Sequence, residues 1–101
     1  MNYDEMPAGK ELNELVARKI MRVTGHFWLR YSQDISAAWE VVEKIIAMSY
    51  TVLVSNGKHS PQSQKWHCII TIIPQQGGYR DGYADTAPLA ICRAALKAVE
   101  G

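Results

Sequence analysis

Apolar positions Leu12, Leu15, Val16, Ile20 and Val23 recur every three or four residues, the period of a helix with one buried face. The spacing predicts an amphipathic helix from about Pro7 to Val23, with Glu14 four residues before Arg18 on its outer side. The pattern stops in "TGHFWLRYSQD", where Gly25 offers the left-handed backbone that ends many helices and an aromatic loop follows. A second helical period runs through Ile35, Ala38, Trp39, Val42, Ile45 and Ile46, with Glu40 and Lys44 paired outside. Ser32 is its expected N-cap, Asp34 falls in its first turn, and it ends near Met48.

The period then shortens to two. "YTVLVSN" and "KWHCIITII" are short and β-branched, and the polar "GKHSPQSQ" between them makes an antiparallel hairpin. Trp66, Cys68, Ile70 and Ile72 take one face, and Lys65, His67, Ile69, Thr71 and Ile73 the other. Both faces carry apolar residues, so cover is expected on both, from helices or another subunit. "PQQGGYRDGYADT" holds Gly-Gly and Asp-Gly turn signals, with room for a third strand around Tyr79 to Ala84. "ADTAPLAICRAALKAV" closes the chain as a helix capped by Asp85 or Thr86, with Pro88 in its first turn. Apart from Arg93, Lys97 and Glu100 that helix is almost entirely small or apolar, which predicts burial on most sides. The fold class is α+β: a small antiparallel sheet of about three strands covered by helices, in the order α-α-β-β-(β)-α.

At 101 residues the chain is a single domain, 1–101. Eleven basic and ten acidic residues leave a charge of +1, which excludes the broad basic field of non-specific nucleic-acid binders. Its apolar runs are too short for a transmembrane helix, and "MNYDEMPAGKEL" lacks the pattern of a secretory signal, so a cytoplasmic protein without membrane association is expected. Cys68 and Cys92 lack metal or disulfide spacing and read as reduced, buried thiols.

Three segments together, "YSQDISAAWEVVEKI", the Trp66-His67-Cys68 strand start and "ADTAPLAICRAALKAV", following "KELNELVARKIM", resemble the small phage and prophage proteins of the phage ABA sandwich domain family. The resemblance covers most of the chain. It implies an α/β fold with helices over a small sheet and a bacteriophage or prophage origin. It implies no catalytic residues.

The residues themselves point the same way. His67 and Cys68 are strand neighbours on opposite faces, which separates a would-be thiolate and base. His26, His59 and His67 lack metal-ligand spacing, and no cofactor motif is present. Asp81, before Gly82, reads as a turn residue, and Asp85 as a cap. "GGYRDG" lacks the Lys-Ser/Thr of a phosphate-binding P-loop. No catalytic residue and no metal ligand is therefore assigned. The ligand candidates are His26, Trp28, Arg30 and Tyr31 in one loop, and Tyr79, Arg80 and Tyr83 in another, because aromatics beside arginines suit a base and its phosphate. Phe27 belongs to the first loop and is equally suited to closing the core.

These features predict a non-enzymatic phage binding protein, an anti-defence factor that sequesters a host signalling nucleotide or a host protein and forms a homodimer or larger oligomer. The alternative is a nucleic-acid-binding accessory protein with the helix, three-strand, helix order of the double-stranded RNA-binding domain. That module needs lysines at the start of its last helix, where this chain has Ala84, Asp85, Thr86, Ala87 and Pro88.

Overall fold

In the computed structural model, which describes residues 2–22, 29–56, 65–71 and 78–100, the first helical period forms α1 (Lys10–Val16) with Leu12, Leu15 and Val16 buried. The helix widens into a π turn, Ala17–Met21, and stops at Arg22, which takes the left-handed conformation at φ 55° and donates its backbone N–H to the Ala17 carbonyl. The helix is thus shorter than Pro7 to Val23, and Arg22 makes the stop expected of Gly25. Gly25 lies outside the described residues.

α2 (Ile35–Ala47) is capped by Asp34, whose Oδ1 accepts from the Ser36 N–H at 2.9 Å. Ser32, the expected cap, lies too far upstream to reach the first free N–H groups. It is buried instead, donating from its backbone N–H and its hydroxyl to Asn13 Oδ1 at 2.8 and 2.6 Å. Its Oγ accepts from the Gly9 N–H at 3.0 Å, and Asn13 Nδ2 donates to Gln33 Oε1 at 3.0 Å. This network fastens the segment before α2 onto α1, with its buried polar groups paired as a low-dielectric interior requires. Ala37, Ala38, Val41, Val42 and Ile45 of α2 face the core. Ile35, Trp39 and Ile46, expected on that face, remain about half exposed.

β1 (Thr51–Asn56), β2 (Trp66–Thr71) and β3 (Tyr79–Ala84) form an antiparallel sheet in the order β1-β2-β3. The register lines up Val52, Ile70 and Arg80; Val54, Cys68 and Gly82; and Asn56, Trp66 and Ala84 on the inner face. α3 (Ala87–Glu100) lies against β2 and β3, while α2 packs beside it and over β1. α1 and its π turn close the far side of the helix layer, so α3 is enclosed as its composition predicted. The helices that back the sheet share one face, and the expected cover on the opposite face is not supplied by a helix among the described residues. There Leu53 and Tyr79 are 58% and 60% exposed.

Asp81 and Gly82 lie inside β3, where the sequence suggested a turn. A Cβ at Gly82 would stand 2.8 Å from the Ala90 carbonyl oxygen, the Ala94 nitrogen and the Arg93 Cβ. Glycine here permits the helix backbone to touch the sheet; it does not bend the strand. Arg93 is buried beside this contact, donating from Nη1 to the Tyr83 carbonyl at 2.7 Å and from Nη2 to the Met6 carbonyl at 2.9 Å. Lys97, one turn on, donates to Asp4 Oδ1 at 2.7 Å and to the Asp81 carbonyl at 2.8 Å, so α3 also ties the N-terminal segment to β3.

Candidate functional site on the uncovered sheet face

Alternation sends every second strand residue outward, and the register sets these in rows: Thr51, Thr71 and Tyr79; Leu53, Ile69 and Asp81; Ser55, His67 and Tyr83. Lys65, just before β2, belongs to the same face by the same alternation. In the third row the His67 and Tyr83 rings are parallel within 2°, with centroids 4.0 Å apart. That separation is close to the spacing of neighbouring strands, about 4.8 Å, so the rings stack face to face across the strand pair. His67 Nε2 also meets Asp81 Oδ2 at 3.0 Å. A carboxylate only accepts, so in this bond Nε2 carries the proton and donates it to Asp81. Two contacts thus fix a half-buried imidazole on a rigid sheet.

Ser55, His67 and Asp81 are the residue types of a hydrolytic triad, but their arrangement differs from one. Because the imidazole is parallel to the Tyr83 ring across the strands, Ser55 stands on the other flat side of the imidazole. Its hydroxyl lies against the His67 backbone carbonyl at 3.5 Å, not against a ring nitrogen. Nucleophile activation needs an in-plane hydrogen bond to the base, which this placement does not make. The thiols are equally removed from chemistry. Cys68 is fully buried under α3, and burial, with a smaller contribution from Asp81, pushes its pKa up to about 12. Burial also raises that of Cys92.

The residues singled out from the sequence separate. Tyr79 and Tyr83 reach the uncovered face, whereas Arg80 is on the inner side of the same strand and donates from Nη1 to the Tyr79 carbonyl at 3.0 Å. All three belong to β3, not to a loop. Tyr31 is a core residue, 3% exposed, and burial raises its phenol pKa. Arg30 is exposed on the segment before α2, and His26 and Trp28 lie outside the described residues, as do Phe27 and His59. His67, Asp81 and Ser55 were not among the ligand candidates. The signal was available: the alternation in "KWHCII" sets His67 opposite a residue of the third strand. Reading Asp-Gly as a turn concealed the partner.

Among the described residues, no group of three or more His, Cys, Asp or Glu side chains is placed to hold a metal ion. Nor is any helix among them long and apolar enough to cross a membrane.

An antiparallel sheet backed on one side by helices, with polar and aromatic residues on the other, defines a small α+β domain of the phage ABA sandwich type. Residues 14–96 match the model of the phage ABA sandwich domain, and the chain belongs to that family. The crystal structure of a phage protein from Bacillus cereus ATCC 14579 is similar, with a TM-score of 0.73 and 32% identity over 96% of this chain and 94% of that one. No curated protein matches the chain significantly.

Proposed function

We propose that this phage-family domain is a non-enzymatic binding protein of the host cytoplasm, an anti-defence factor that sequesters a host signalling nucleotide. The observation that carries the reading is the outer sheet face, which no helix among the described residues covers and where His67, Tyr83 and Asp81 form a fixed aromatic and polar surface on a helix-backed scaffold. Sequestration asks for affinity alone, and a preformed surface lowers the entropy lost on binding. The buried thiols and the placement of Ser55 favour holding a ligand over transforming it. The start of α3 speaks against the double-stranded RNA reading, because Ala87 and Pro88 are buried where that module presents lysines.

Self-association belongs to the same reading. Ile35, Trp39 and Ile46 lie within about 40° of one line along α2 and are half exposed, an apolar stripe suited to a second copy. Native mass spectrometry of the protein from expressing cells carrying an active nucleotide-signalling defence tests both parts. A dimer or larger species with a co-purified nucleotide is expected. Protein free of nucleotide from cells in which the signal is being made contradicts sequestration, and a monomer at micromolar concentration contradicts self-association.

A further inference from the structure

Independently of the nucleotide reading, we propose that the outer edge of β1, under the flank of α2, is a seat for an extended segment of another protein, which adds to the sheet as a fourth strand. The two edges of the sheet are finished differently. Successive residues of an antiparallel strand turn their N–H and C=O alternately to one neighbour and to the other. On β3 the carbonyls of Tyr79, Asp81 and Tyr83, every second residue, each accept from a cation: Arg80 Nη1 at 3.0 Å, Lys97 Nζ at 2.8 Å and Arg93 Nη1 at 2.7 Å. Those carbonyls face away from β2, and the edge they form is closed. Carried through the register, the same alternation bonds Thr51, Leu53 and Ser55 to β2 and turns both backbone groups of Val52 and Val54 outward from β1. No described residue outside the sheet bonds to them there. Thr51–Asn56 is also uncharged, free of proline and unbroken in register, so none of the usual guards protects this edge.

α2 completes the seat. A short link, residues 48–50, makes α2 antiparallel to β1, and α3 covers β2 and β3 beside it. In L-residues the side to which a strand's backbone groups point is tied to the direction of its side chain, so the carbonyl pattern fixes the hand of the two layers. The right-handed α2 then turns Ala37 and Val41 toward α3, Ala38 and Val42 toward the sheet and, next round, Ile35, Trp39 and Ile46 over the bare edge. An added strand thus meets backbone partners at Val52 and Val54 and an apolar flank above them. It takes apolar residues at alternate positions and no charge between β1 and α2. A second copy of β1 does not fit, because paired strands lie about 4.8 Å apart and packed helices about 8–10 Å, so the two α2 helices would collide. The second copy's β3 edge is closed by its own cations. A docked strand and a second copy packed through α2 share Ile35, Trp39 and Ile46, so each excludes the other.

Two-dimensional NMR with amide exchange tests this on the whole chain, using as probe the acetylated and amidated peptide Lys-Val-Thr-Val-Thr-Val-Lys and the same peptide N-methylated at its valines. In the free protein the Val52 and Val54 amides should exchange quickly, while that of Leu53, bonded to β2, is protected. Millimolar probe should give saturable shifts and slowed exchange at Val52 and Val54, with a shift of the Trp39 indole. The N-methylated peptide, which has lost the donors that face β1, should bind about tenfold or more weakly. Trp39→Lys and Val54→Pro, which removes only an outward N–H, should weaken the probe to a similar degree with a thermal midpoint near that of the parent protein. Should Val54→Pro unfold, the N-methylated peptide makes the same test. Equal binding of the two peptides, no shift with either at millimolar concentration, or slow exchange of Val52 and Val54 in the free protein at every concentration would overturn the proposal. Protection that grows with protein concentration alone would overturn it too and give the edge to a second copy. Nucleotide binding at His67 and Tyr83, on the sheet's outer face, is tested separately and stands or falls apart from all of these outcomes.

Discussion

The two faces of the sheet are made from the same eighteen or so residues, one strand position apart, and they solve different problems. On the inner face Cys68, Ile70, Gly82 and Ala84 are small or apolar and buried, and the α3 backbone comes down directly onto Gly82. On the outer face His67 of β2 hydrogen-bonds to Asp81 and stacks on Tyr83 of β3, and Leu53 and Tyr79 remain in solvent. Adjacent residues thus have opposite duties: Gly82 is there for what it lacks, Asp81 for what it carries. The contrast teaches that residue order within β3 matters more than its composition, since a shift of one position exchanges the faces.

The contrast is broken most severely at Gly82. Gly82→Val drives a branched side chain into helix backbone and should cost about 3 kcal/mol, read as a fall in the urea midpoint. A loss below 0.5 kcal/mol would mean that α3 can move off the sheet freely. Arg93→Ala comes next. It leaves the Met6 and Tyr83 carbonyls without their charged donors, while removing a cation that was costly to bury. The balance should be a loss of about 2 kcal/mol.

The buried thiols give a smaller effect with a defined sign. Cys68 is a neutral thiol up to about pH 12 in the folded protein and ionises near its ordinary value of 9.0 once unfolded. Above pH 9 the unfolded chain therefore binds fewer protons than the folded one, and stability falls as pH rises from about 9 to 12. Urea titrations at pH 7.5 and 10.5 should show the decline, and Cys68→Ala should lessen it; an unchanged slope in that variant would assign the decline to other groups. The smallest effect is expected outside. Tyr79→Ala, at a side chain 60% exposed, should shift stability by less than about 0.5 kcal/mol. A larger loss would show that the outer face is structural after all.

Much of the fold was legible because periodicity records burial directly. The alternation of β2 and the enclosure of α3 follow from the spacing of apolar residues, while the limits of β3 at Tyr79 and Ala84 follow from the room left between the turn signals and the last helix. Local chemistry was less dependable. Ser32 has the composition of a cap, yet Asn13, nineteen residues away, claims it, and Arg22 adopts a left-handed conformation that glycine would take at lower cost. The site was half legible. Tyr79 and Tyr83 were found as aromatics, but nothing local in "RDGY" says that Asp81 faces His67, because that pairing depends on strand register. Tyr31 was placed in the site by its neighbours in sequence, whereas burial places it in the core.

The central claim is that the outer face binds and the inner face supports. Amide chemical-shift mapping by two-dimensional NMR with a mixture of the four ribonucleoside monophosphates tests it most directly. The account predicts saturable shifts concentrated at Leu53, Ser55, His67, Asp81 and Tyr83, with α2 and the inner side of α3 unmoved. Shifts clustered along Ile35, Trp39 and Ile46, or the absence of any shift at millimolar nucleotide, would contradict it.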